Sequence, residues 1–276
     1  MCKVLQVSKS GYYKWVKSSP SKRFLENQQL TEQIREIHSL SKQTYGSPRI
    51  TKALRDRSYN VSRQRVARLM RKAGIRSKIR KKYIATTDSK HTYHVAANLL
   101  DRNFKVGSIG QVWVSDITYI STKQGWLYLT TVIDLGDRKV IGWSLGSTLK
   151  AADTSVAAFN MAIKNRPITQ QLIFHSDRGV QYACNEFTDI LKKYKTVKQS
   201  MSRKGNCWDN AVAESFFKTL KSEWTNWHKY QSVKQAALSV FEYIEGWYNL
   251  KRKHSALGYL SPAEYEKYLL TKKSAA

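Results

Sequence analysis

Proline is scarce in this 276-residue chain: Pro20, Pro48, Pro167 and Pro262 are the only four. That excludes proline-rich linkers, and each proline falls where an element is expected to start or stop. Cysteine is scarcer. Cys2, Cys184 and Cys207 are odd in number and far apart, so they make neither a disulfide framework nor a CxxC zinc half-site; free thiols in a reducing compartment are expected. Long apolar runs are also missing. No stretch approaches the roughly 20 residues that span a bilayer, and Met1-Cys2-Lys3-Val4 begins no signal-peptide core. The expectation is a cytoplasmic protein with no membrane partner. No internal repeat interrupts the chain.

Acid is the fourth shortage. Asp and Glu number 20 against 48 Lys and Arg, a net charge of +28, with 41% apolar residues and a mean hydropathy of −0.54. A soluble globular chain with this field attracts a polyanion. The imbalance is concentrated in residues 1–100, which hold 23 basic and 5 acidic residues, against 25 and 15 in 101–276. On charge alone, a passive nucleic-acid binder such as a ribosomal protein fits equally well.

Within that basic front, Leu30, Ile34, Ile37 and Leu40 recur at helical spacing and predict a helix over 27–40. Pro48 suits the first turn of a second helix, 48–57, with Ile50 and Leu54 inward. Ser62 is an N-cap candidate for a third, with Val61 and Val66 as a hydrophobic staple, Val66, Leu69, Met70 and Ala73 as its buried stripe, and Gly74 as its stop. Three short helices with a tight turn before the last predict a helix-turn-helix, with Arg63, Gln64 and Arg65 at base edges and Arg68, Arg71 and Lys72 at phosphates. A helical bundle with a solvated basic face is the simpler alternative. A basic connector follows, with Arg76, Lys78, Arg80, Lys81 and Lys82. Its His91 and His94 lack a second ligand pair and are not expected to bind metal.

From Gln111 the texture becomes β-rich. Residues 111–120, 126–135 and 139–145 predict three strands with short turns; a helix (153–164), a strand (171–175), a helix (184–194), a strand (196–201) and a helix (210–224) follow. This order predicts an α/β domain with a mixed five-stranded sheet. A further helical stretch, 231–250, and a Tyr-rich tail complete the chain.

Three acids stand out. Asp116 interrupts a strand otherwise suited to burial, Asp177 follows the apolar run Leu172–His175, and Glu214 lies early in the 210–224 helix. Ala213, Phe216, Phe217, Leu220 and Trp224 form that helix's inner stripe; Glu214 lies at its edge, with Lys218 and Lys221 four and seven residues on. Isolated buried carboxylates are costly, and converging ones become tolerable around divalent cations. A surface Glu–Lys pair is the simpler reading of Glu214. Asp134 and Asp137 are expected to be turn residues, and Asp209 a helix-start acid.

Several long segments, in order, make a resemblance. Val114-Ser115-Asp116-Ile117-Thr118-Tyr119, His175-Ser176-Asp177-Arg178-Gly179-Val180-Gln181-Tyr182, Ser200–Ala211 and Glu214-Ser215-Phe216-Phe217-Lys218 resemble the retroviral-integrase-like DDE core of OrfB-type transposases of the IS-three family of bacterial insertion sequences. Gly11–Trp15, Tyr45–Ile50, Arg65–Met70, Tyr248-Asn249 and Arg252–Tyr259 extend the likeness nearly end to end. Between Asp177 and Glu214 lie 36 residues, one more than the family's usual spacing, and the extra residue is placed near 192–198.

The resemblance implies a ribonuclease H-like fold and a catalytic, metal-binding triad of Asp116, Asp177 and Glu214. It implies two Mg²⁺ ions, replaceable by Mn²⁺, cleavage that frees a 3′-OH at the element end, and strand transfer by that hydroxyl. The implied partners are DNA (terminal inverted repeats and target), further copies of the chain, and an upstream OrfA product or frameshift fusion. Arg203 and Lys204, in the polar loop Ser202–Trp208, and Lys218 and Lys221 are expected at phosphates, with DNA ordering that loop. The expected division is a leader (1–26), a helix-turn-helix domain (27–75), a basic linker (76–104), the catalytic core (105–228) and a C-terminal helical region (229–276). A ribonuclease acting on RNA–DNA hybrids would share the core but not need the basic front; a non-catalytic accessory DNA binder of the same element is the other alternative.

Overall fold

The computed structural model describes residues 2–78 and 92–274, so Arg80, Lys81, Lys82 and His91 of the expected linker lie outside the described residues. The chain divides into two compact units after Lys78.

The first unit holds α1 (Lys9–Lys17), α2 (Lys22–Leu40), α3 (Ser47–Asp56) and α4 (Arg63–Lys72). Serine hydroxyls begin three of them: Ser8, Ser21 and Ser62 accept from the backbone N–H three residues on. The expected leader therefore contains a helix of its own, and α2 starts five residues early, at the Ser21 cap. Apolar periodicity could not reveal this, because α1 buries nothing and α2 buries only Leu30, Ile34 and Ile37, while Leu40 is exposed. These three pack with Ile50, Leu54, Val61, Val66, Leu69 and Met70, all buried. The turn between α3 and α4 is fixed by Arg55, whose guanidinium donates twice to the Val61 carbonyl (3.1 and 3.2 Å), and Gly74, at φ +70°, ends the last helix.

The second unit is built on five strands in the order β3-β2-β1-β4-β5: β1 (Val112–Thr122), β2 (Gly125–Asp134), β3 (Val140–Gly146), β4 (Leu172–Ser176) and β5 (Val197–Met201). β1, β2 and β3 are antiparallel; β4 joins β1, and β5 joins β4, in parallel. A π-helical turn, Ala152–Val156, leads into α5 (Ala157–Asn165). α6 (Val180–Ala183) and α7 (Asn185–Lys192) follow β4. Trp113, Val132, Phe159, Phe174, Tyr182 and Phe187 form the main core cluster between these helices and the sheet. Gly142 on β3 lets α5 approach: a Cβ there would lie 2.2 Å from the Ala158 carbonyl oxygen. Val112 and Val114, pointing to the other side of β1, are equally buried, and α8 (Ala211–Glu223) and α9 (Val233–Phe241) pack against β1 and β2. No helix of the described residues is long and apolar enough to cross a membrane.

The expected C-terminal helical region ends in α10 (Pro262–Ser274), docked by Glu266 onto Arg166 and Lys139. One expectation needs correction here. Asp134 and Asp137 are more than turn residues. Each does cap a turn N–H, Gly136 and Lys139 respectively, but both are fully buried and share the Arg166 guanidinium at 2.7 Å. Asp134 also accepts from Trp113 Nε1 and Gly110 N. Beyond α9 the chain continues as a π-helical stretch, Glu242–Tyr248, and folds back: Asn249 brackets Val140 through both its backbone groups, and Arg252 forms a buried two-point pair with Glu223, both bonds 2.7 Å.

Candidate active site

β1 and β4 pair for only three residues, ending with Val114 beside His175. Extending that register by two residues, past the end of β4, sets Asp116 opposite Asp177, whose charge it feels. Adjacent strands lie about 4.8 Å apart, so the two carboxylates leave the sheet as neighbours where its ladder stops. Asp116 Oδ1 accepts from the Ile117 N–H (2.8 Å) and Asp177 Oδ1 from the Gly179 N–H (2.9 Å). Gly179 is needed for that approach, since a Cβ there would stand 3.0 Å from the same oxygen.

Glu214 arrives from α8. The helix is aimed by Asn210, the residue before it, whose Nδ2 donates to the Ser115 carbonyl (2.9 Å), next to Asp116. The result is a concentration of negative charge. Burial, then the charges of Asp177 and Glu214, hold the Asp116 carboxyl well above the ordinary range, against the Ile117 N–H and the Lys221 charge, which lower it. Glu214 is raised as well, by burial and by Asp177. Lys221 is pulled down by burial and up by Asp116; its Nζ lies 4.8 Å from the centre of the Tyr119 ring. Among the described residues, no group of three or more His, Cys, Asp or Glu side chains is disposed to hold a metal ion as it stands. The three acids sense one another's charge without being drawn into one shell.

A second acid centre, which sequence reading gave only a capping role, supports the first. Asp209 lies in the 3-10 turn Cys207–Asn210, fully buried, and accepts from Asn98, from Arg102, and from both the backbone and guanidinium of Arg203. Arg203 foremost holds its carboxyl far below the usual range. Arg203 is thereby engaged within the protein, also touching Asp101 at 3.2 Å, and its half of the Ser202–Trp208 loop is tethered: Ser202 N donates to the Ser176 carbonyl, and Arg178 to that of Ser202. Lys204 and Lys218 are exposed. In the first unit Arg63, Gln64, Arg68, Arg71 and Lys72 are exposed along α4, whereas Arg65 turns inward to Asn27 (3.0 Å) and Glu26 (3.1 Å). Two partners of Asp209, Asn98 and Arg102, lie about a hundred positions away in the chain, so no local signal marked them.

A helical front unit and an integrase-type α/β core define a class, and comparison with known proteins agrees. Residues 25–83 match the HTH-like domain family, and 107–207 and 195–262 match two integrase core domain families. The chain is 40% identical over 269 residues to the insertion element IS600 uncharacterized 31 kDa protein of Shigella sonnei, covering 97% of this chain and 98% of that one. It is 39% identical over 268 residues to the transposase InsF for insertion sequence IS3A of Escherichia coli (strain K12), covering 96% and 92%. Among solved structures, a simian T-cell lymphotropic virus intasome in complex with PP2A regulatory subunit B56 gamma aligns at 12% identity over 84% of this chain and 74% of that one, TM-score 0.48. The chain belongs to the IS-three family of insertion-sequence transposases, with a ribonuclease H-like integrase core behind an HTH-like region.

Proposed function

We propose that this chain carries out the cutting and joining of its own insertion sequence: it binds the terminal inverted repeats, frees a 3′-OH, and joins that hydroxyl to a second phosphodiester. The observation that carries this reading is the mutual charge of Asp116, Asp177 and Glu214 at the open end of the β1–β4 pair. The Asp177 charge raises the proton affinity of both Asp116 and Glu214, and Glu214 adds to it at Asp116, so the cluster calls for positive charge, and its hard oxygens suit Mg²⁺, with Mn²⁺ as a substitute. Two such ions, when bound, supply an activated nucleophile and charge neutralisation at the leaving oxygen.

The protein's own part is positioning. The Ile117 and Gly179 amides orient one oxygen each of Asp116 and Asp177, and Asn210 ties the start of α8 to β1 so that Glu214 faces them. Lys218 and Lys221 bring cations along the same helix to the phosphate backbone, with Lys204 on the loop before it. Arg63, Gln64, Arg68, Arg71 and Lys72 of α4 supply DNA contacts in the helix-turn-helix unit, Arg65 bracing that helix. The leader (1–26), helix-turn-helix domain (27–75), linker (76–104), core (105–228) and C-terminal region (229–276) divide these tasks. The protein works in the bacterial cytoplasm, as several copies on DNA, with an OrfA product or fusion as partner.

The test uses the purified full chain, a duplex carrying the element's own end, and Mg²⁺ or Mn²⁺. The wild type is expected to nick the end and transfer the strand. Asp116→Asn, Asp177→Asn and Glu214→Gln should each abolish both steps while DNA binding survives. Robust cleavage by one variant removes that residue from the triad; binding without cleavage by the wild type, with either metal, establishes the accessory role instead.

A further inference from the structure

The tip of the β1–β2 hairpin presents an aromatic pair that the core does not use. Tyr119 and Trp126 meet edge to face, 4.9 Å between centroids and 86° between planes, and Trp126 is 51% exposed. Single exposed aromatics are common and need no explanation. Three further observations set this pair apart. Lys221 stands over the Tyr119 ring at 4.8 Å and is close enough to Asp116 for their charges to interact. The hairpin is rigidly held: Lys123 N donates to the Tyr230 carbonyl (3.0 Å), and Gln124 Oε1 accepts from Val233 N (3.1 Å). The distance is also apt. Tyr119 is three residues beyond Asp116 on β1, about 10 Å along the strand at 3.4 Å per residue; the odd offset turns the two side chains to opposite faces, and Lys221 is the group that reaches both.

We propose that Tyr119, Trp126 and Lys221 form a stacking subsite for an unpaired nucleobase of the DNA strand whose phosphate reacts at Asp116. Every base has a π-face, so an aromatic shelf with an adjacent cation takes a base with its phosphate whatever the sequence. A separation of about 10 Å corresponds to about three steps of duplex at 3.4 Å per nucleotide, and fewer of a splayed strand. The shelf thus takes a base within a few nucleotides of the reacting phosphate and lowers the cost of unpairing it. This deepens the proposed function and rests on its placing of the reacting phosphate.

The full chain is tested without metal on element-end duplexes whose last three bases of the reacting strand carry 2-aminopurine one at a time, either paired or left unpaired opposite a mismatch. The wild type should quench one position strongly and bind the unpaired duplex more tightly. Trp126→Ala and Trp126→Leu should lose that quenching and about 5- to 150-fold in affinity for the unpaired duplex, the span that a stacked base contributes, while Trp126→Phe keeps most of both. The Leu variant retains apolar cover over Tyr119 and guards against simple misfolding, which circular dichroism checks. With metal, cleavage of paired ends by Trp126→Leu should fall and recover on pre-unpaired ends. Equal quenching and affinity in wild type and Trp126→Leu overturn the subsite, even if cleavage proceeds. Trp126-dependent quenching by a wild type that never cleaves keeps the subsite and sinks the catalytic reading instead.

Discussion

Ser200 accepts the Leu99 N–H at 2.8 Å, and its hydroxyl is hydrogen-bonded to His175 Nδ1 at 2.9 Å. His175 Nε2 in turn meets the Ser202 hydroxyl at 3.3 Å. The imidazole is fully buried and neutral; burial lowers its pKa to about 4 from 6.5, against the pull of Asp209. In the unfolded chain it takes up a proton more readily, so protonation favours unfolding. This contribution is intact above pH 6.5 and is lost as pH falls toward 4, by about 3 kcal/mol in all. The urea midpoint of the metal-free protein, measured between pH 7 and 4.5 beside that of His175→Gln, isolates it from the carboxylates, which titrate in both. The wild type should lose more stability on acidification than the variant. Parallel curves would show that the imidazole does not resist protonation.

At the scale of elements, α8 shows what a sequence can disclose. Its stripe of Ala213, Phe216, Phe217 and Leu220 is buried as the spacing indicates, and the fold places Glu214 at the stripe's edge. The strands were equally legible, because β1 to β3 are apolar, β-branched and separated by short turns. What stayed hidden depends on distant partners. Nothing local distinguishes Asp134, a turn acid in appearance, from one that meets Arg166 in the core, and nothing marks Asp209 as the anchor of Arg102. The helix-turn-helix shows the same limit. Arg63, Arg65 and Arg68 look alike in sequence, yet Arg65 alone of the three is spent inside the unit. Arg63→Ala and Arg68→Ala are expected to weaken binding to element-end DNA, by about 1–3 kcal/mol where a base is read, with an unchanged melting temperature. Arg65→Ala should lower the melting temperature, since it cuts α4 from the start of α2; its half-exposed ion pair contributes about 1 kcal/mol or less. Paired thermal melts and binding curves check this, and an Arg65→Ala protein that melts like wild type yet binds DNA as poorly as Arg63→Ala would reverse the assignment.

On the scale of the whole molecule, the surplus of 28 positive charges is a property of the surface, and the interior is run by the few acids. Asp134, Asp137, Asp209 and Glu223 are all fully or almost fully buried and all matched by arginine. Two of those arrangements reach the last quarter of the chain. Arg252 neutralises Glu223 on α8, the helix that also bears Glu214, and Glu266 completes the cluster around Arg166. Removing one partner of a buried pair costs about 3–5 kcal/mol, a large share of a domain's stability. A stop codon just after Leu250 would leave every acid of the proposed triad encoded and still strand the Glu223 carboxylate at 2% exposure. Such a reading frame should yield little soluble protein, whereas one ending after Tyr268, beyond Glu266, should yield far more; comparing the two by expression and proteolysis decides the matter. For a mobile element the expected consequence is genetic: a copy whose frame stops a tenth short is expected to be dead, and the three acids of the proposed triad in a genome sequence are no sign of a living element unless the frame also reaches Arg252 and Glu266.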